Sequence, residues 1–74
     1  MNITIFVADF PPHLNWPAFE HRLRRAVLHV YSPDVRTLII APGDITYIGI
    51  NDDHEPSEAF RICGLIEEAI ACTH

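Results

Sequence analysis

In the opening stretch NITIFVAD, Ile3, Ile5 and Val7 alternate with Thr4, Phe6 and Ala8, which predicts a strand with one face turned to a core. FPPHLNWP ends that strand, because two adjacent prolines cannot both sit in a ladder. Asn15 ahead of Trp16 and Pro17 reads as a helix cap followed by proline in the first turn. From there Trp16, Phe19, Leu23, Ala26, Val27 and Val30 recur at helical spacing, and Glu20 stands four residues before Arg24, the favourable order for a surface pair. The spacing predicts a helix over 16–31, stopped by Ser32, Pro33 and Asp34. VRTLIIAPGDITYIGI then reads as two strands around APGD, whose proline and glycine suit a tight hairpin. In SEAFRICGLIEEAIAC the stripe Ala59, Ile62, Cys63, Ile66, Ala69 and Ile70 predicts a second helix.

The element order is therefore βαββα, an α+β class. Each helix has one apolar stripe and needs one sheet face to cover it, so the economical arrangement is a two-layer sandwich with a three-stranded sheet and both helices on one face. Trp16, Phe19, Leu23, Val27, Ile62 and Ile66 are the expected filling between the layers. The apolar stretch ITYIGI favours a central third strand, giving the order 1-3-2 with all neighbours antiparallel, as in a ferredoxin-like domain without its fourth strand. The alternative order, 1-2-3, makes the first pair parallel through a crossover.

Length narrows the function classes. A chain of 74 residues is a single domain spanning 1–74, and a domain of that size buries only about 60% of the surface that its unfolded form exposes. A walled catalytic pocket with a cofactor would consume much of the core, so a non-enzymatic role without a cofactor is expected. No stretch approaches the roughly 20 apolar residues that span a bilayer, and no basic start with a cleavable apolar block opens the chain; a cytoplasmic protein without a membrane partner is expected. Cys63 and Cys72 lie nine residues apart on one predicted helix, roughly 13 Å along its axis, and cannot bridge each other.

Charge adds an asymmetry that periodicity does not show. Ten acids face five bases, for a net charge of −5, and every base is arginine. Residues 1–43 hold Asp9, Glu20 and Asp34 against Arg22, Arg24, Arg25 and Arg36, whereas residues 44–74 hold seven acids against Arg61 alone. An acidic half disfavours nucleic acid and anionic membrane as direct partners and favours a basic protein surface. Solubility alone would also account for net acidity.

The densest acidic stretch, INDDHEPSEAF, places Asp52, Asp53, His54 and Glu55 in succession. Four adjacent residues cannot converge on a metal from several directions, and His13, His21, His29 and His74 form no i, i+4 pair, so no metal site is expected. No nucleophile with a partner base is visible and no glycine-rich phosphate loop, so no catalytic residue is assigned. Asp53 or a neighbour can cap the second helix, with Pro56 in its first turn and Glu55 and Glu58 near its positive end. A cap needs one such side chain. The surplus, Asp44, Asp52, Asp53, Glu55, Glu58, Glu67 and Glu68, is the candidate partner-binding surface.

A second candidate lies on the sheet. If Ile3, Ile5 and Val7 face the helices, Phe6 faces the open side, with Tyr47 and Ile45 from the third strand. RNA-recognition domains stack bases on aromatics so placed, but the glycine and basic residues of that strand signature are missing here. An apolar sheet face covered by a partner or a second copy is the simpler reading, and it leaves monomer and homodimer open. Arg22, Arg24 and Arg25 form the one basic patch, which reads as a solvated helix face.

In length, acidity, absence of motif and compact α/β layout, the whole chain resembles the small acidic proteins of phages and mobile elements, of which anti-CRISPR proteins are the best known. The resemblance implies an inhibitor in the bacterial cytoplasm that binds a CRISPR effector subunit without catalysis, carboxylates standing where DNA phosphates would sit. That class shares no motif through which residues can be carried over, so the acidic set rests on charge alone.

Overall fold

The computed structural model describes residues 1–51 and 56–73. Its elements are β1 (Asn2–Val7), α1 (Trp16–Tyr31), β2 (Thr37–Pro42), β3 (Tyr47–Ile50) and α2 (Pro56–Cys72), the βαββα order that periodicity predicts. Asn15 caps α1: its Oδ1 accepts the amide of Ala18 at 3.2 Å, and Pro17 occupies the first turn, where no amide is needed. The residue expected to cap α2, Asp53 or a neighbour, lies outside the described residues.

The sheet is mixed, in the order β2-β1-β3. This corrects the order 1-3-2 and the hairpin between the second and third strands. β1 is central, parallel to β2 (Ile3 opposite Leu38, Ile5 opposite Ile40) and antiparallel to β3 (Ile3 opposite Ile50, Ile5 opposite Ile48). The pairing follows burial. Ile3, Ile5 and Val7 are almost wholly shielded, and such a strand gains most from a ladder on each edge. The connection after Pro42 crosses the end of β1 instead of turning back, over two strand spacings of about 4.8 Å each. The Gly43 amide donates to the Val7 carbonyl at 3.1 Å there, and a Cβ on Gly43 would lie 3.1 Å from the Phe6 Cβ, so the crossing is close enough to favour glycine.

Both helices lie on the face formed by Ile3, Ile5, Val7, Ile40, Ile48 and Ile50. α1 contributes Phe19, Leu23 and Val27, and α2 contributes Ile62, Ile66 and Ala69. Trp16, expected among the filling, packs at its margin, partly buried in an aromatic group with Phe10 and Phe19 (centroids 5.0 and 5.2 Å from Trp16) that closes the end of the helix layer. Arg24 ties α1 to an edge strand: one guanidinium nitrogen donates to the Leu38 carbonyl at 3.1 Å and the other to Glu20 at 3.0 Å. An arginine that occupies a carbonyl of β2 makes that edge a poorer template for a foreign strand.

Candidate functional site

Side chains alternate across a strand, so the register that buries one row of residues presents the other on the far side. Here that row is Asn2, Thr4 and Phe6 from β1, Thr37, Ile39 and Ala41 from β2, and Tyr47 and Gly49 from β3. None carries a charge. Phe6 and Tyr47 stand opposite each other with ring centroids 6.1 Å apart and planes tilted by 36°. Ile39 is 47% exposed and Tyr47 39%; Ile45, expected on the third strand, lies before it in the β2–β3 connection and is 73% exposed.

Gly49 shapes this face. A Cβ there would lie 2.6 Å from the Tyr47 hydroxyl oxygen and 2.9 Å from its ring, so the tyrosine lies along its own strand over the glycine. Any larger residue at 49 would lift the ring off the sheet. Thr46, at the head of β3, accepts the Ala8 amide at 3.2 Å and joins the ends of β3 and β1.

The sheet brings together Phe6 and Tyr47 as the alternation predicts, but Ile39 and Ala41 belong to the same patch and were not anticipated. Their signal was the run LIIA at 38–41, apolar on both faces, in a strand that has only one face to bury.

Four of the acidic candidates, Asp44, Glu58, Glu67 and Glu68, lie within the described residues. Asp44 is exposed in the β2–β3 connection. Glu58 is half-buried on the first turn of α2 and accepts the hydroxyl of Tyr31, the last residue of α1. That pair, with burial as the larger cause, pushes the Tyr31 hydroxyl up to about 12, while Arg61 pulls in the opposite direction. Glu67 and Glu68 are both exposed but diverge around the helix: Glu67 borders a recess with Thr46, Cys63 and Ile66, and Glu68 borders a cleft against α1. Asp52, Asp53 and Glu55 lie outside the described residues, as do His54 and His74.

Among the described residues no three His, Cys, Asp or Glu side chains are placed to hold a metal ion, and no helix is long and apolar enough to cross a membrane. Cys63 is half-buried and Cys72 exposed, and both are free thiols. No family, curated protein or solved structure matches the chain.

Proposed function

We propose that this protein is a non-catalytic binding module that acts as a homodimer, two copies packing through the open faces of their sheets. The observation that carries this reading is the uncharged row Asn2, Thr4, Phe6, Thr37, Ile39, Ala41, Tyr47 and Gly49 in a chain that is 20% charged. A partner recognised by charge would need charges on that face. A second copy, itself at −5, is best approached through the one surface that carries no like charge.

Two strands of six residues and one of four make a face of at most roughly 14 by 20 Å, under about 300 Å² per copy, so a face-to-face pair falls below the roughly 1,200 Å² of a standard interface and is a weak one, with a dissociation constant on the order of 100 µM. Sedimentation over about 1 to 500 µM should show a monomer–dimer equilibrium, and Tyr47→Asp, which inserts a charge beside Phe6 on that face, should leave monomer only. A wild-type chain that is monomeric throughout, or a Tyr47→Asp variant that still dimerises, rejects the sheet-face dimer.

The charge asymmetry supports a second reading, an inhibitor of the anti-CRISPR type whose carboxylates occupy the nucleic-acid site of an effector complex. With Glu58 bonded to Tyr31 and Glu68 lining the cleft between the helices, Asp44 and Glu67 are the described members of the acidic set left to do so. Duplex DNA should then compete with the protein for the effector; unaltered DNA binding at saturating protein rejects this reading for that effector.

A further inference from the structure

A cleft of about 620 Å³ runs between α1 and α2, lined by helix residues alone, and so opens away from the sheet. Its floor is small and apolar: Ala18 and Ala26 from α1, Leu65 and Ala69 from α2. Three of the four are alanines, so little side chain fills the space between the two helices there. The α1 wall carries the cations Arg22 and Arg25, flanked by His21 and His29, all four exposed over about 12 Å of helix. The opposite wall presents Glu68 and Cys72.

The two arginines in this wall are not those that hold the fold. Arg24 is bound to Glu20 and the Leu38 carbonyl, and Arg61 lies near Tyr31 and Glu58. Arg22 and Arg25 make no ion pair among the described residues. In a protein of net charge −5, a wall of one sign beside an apolar floor singles out a ligand that is itself acidic and apolar.

Shape decides its size. Small-molecule sites enclose most of their ligand, whereas two helices alone provide a floor and two banks with no roof. Nucleic acid would meet a protein of the same sign and, within the cleft, Glu68. An open channel three helical turns long is the shape that receives another helix.

We infer that the cleft is a docking groove for an amphipathic helix of a partner protein, one whose apolar stripe lies on the alanine floor and whose acidic flank faces Arg22 and Arg25. Carboxylates at i and i+4 on such a helix would meet the arginine wall, and Glu68 on the other bank disfavours acids there, so the ligand's two flanks must differ. That asymmetry fixes the direction in which the partner lies. This surface is separate from the sheet face, so one protomer could hold a second copy and a partner together.

The probe is a labelled synthetic peptide of about 16 residues with leucines along one helical stripe and glutamates on one flank, compared with a twin that carries lysines instead. Titrated with the full chain and followed by anisotropy, the glutamate peptide should bind at least about tenfold more tightly than its twin, and the double variant R22E/R25E should invert the preference. An inverted preference cannot arise from unfolding. Ala26→Trp, which fills the floor without altering charge, should abolish binding, with circular dichroism reporting that the helices remain. Tyr47→Asp should leave the peptide affinity unchanged. Equal binding of the two peptides, indifference to R22E/R25E, loss of binding in Tyr47→Asp, displacement by single-stranded DNA, or no saturation by about 1 mM would each overturn the inference.

Discussion

Asn51 ends β3 in the left-handed region, with φ of 53°. Its amide donates to the Asn2 carbonyl at 2.7 Å and its Oδ1 accepts the Asn2 amide at 2.9 Å, so one residue completes a rung by main chain and side chain together. The left-handed conformation costs most residues about 1–2 kcal/mol, and asparagine is among the few that adopt it readily. Asn51→Gly should therefore lose only the exposed side-chain bond, about 0.5–1 kcal/mol, while Asn51→Ala loses the bond and adds strain, roughly 1 kcal/mol more. Urea denaturation of the pair checks this; equal losses would mean that φ is not constrained there. Tyr31 offers a test in pH. Its hydroxyl keeps its proton to about 12 in the folded chain against an ordinary value of 10.0, so between those values the folded state holds a proton that the unfolded state has released. The stability from this group is complete below about pH 10 and is lost as pH rises through about 12. In a Tyr47→Phe background, where Tyr31 is the one remaining tyrosine, phenolate absorbance should rise with a midpoint near 12. Glu58→Gln should lower the midpoint without returning it to the ordinary value, because burial, the larger cause, persists. A midpoint unchanged by Glu58→Gln would rule out the Glu58 charge as a contributor.

Elements were more legible than the way they assemble. Asn15, Pro17 and the stripe from Phe19 to Val27 locate α1 because capping and periodicity are local signals, decided within a few residues. Strand order is not local. Pro42 and Gly43 suit a tight turn and a crossing equally well, and what separates the two is the nearly complete burial of Ile3 and Ile5, which no short window reveals. The same limit applies to the surfaces. Phe6 and Tyr47 share a face whichever strand lies between, so alternation alone could pair them, but Ile39 joins them only once β2 lies beside β1. The α1–α2 cleft depends on which small residues line it together from two helices whose centres are about 40 residues apart in sequence, a separation no local pattern spans. Where local signals and assembly agree, the energetic consequence is direct. Leu23 is fully buried at the centre of α1 and Ile66 nearly so on α2. Truncating either to alanine should cost about 2–5 kcal/mol, a large share of what so small a domain possesses. Thermal or urea unfolding measures the loss, and a value below about 1 kcal/mol would show that the two layers do not pack as described.

At the scale of the whole molecule, the two proposed surfaces respond to salt with opposite signs. The open sheet face is uncharged, so the attraction between two copies comes from burial of Phe6, Ile39, Ala41 and Tyr47, which added salt does not screen. What salt does screen is the repulsion between two chains of net charge −5, since the Debye length falls from about 10 Å at 0.1 M to about 3 Å at 1 M. Raising sodium chloride should accordingly tighten the homodimer, severalfold where the copies approach within about a Debye length. A contact between carboxylates and a basic partner, the basis of the inhibitor reading, must weaken over the same range, as must an acidic helix held by Arg22 and Arg25. Sedimentation of the chain alone and peptide anisotropy, each repeated at low and high salt, therefore separate association driven by burial from association driven by charge. A dimer that loosens as salt rises would mean that charged groups, and not the sheet face, hold the two copies together. In that case Tyr47→Asp should also leave the association intact, so two independent measurements would count against the same interface.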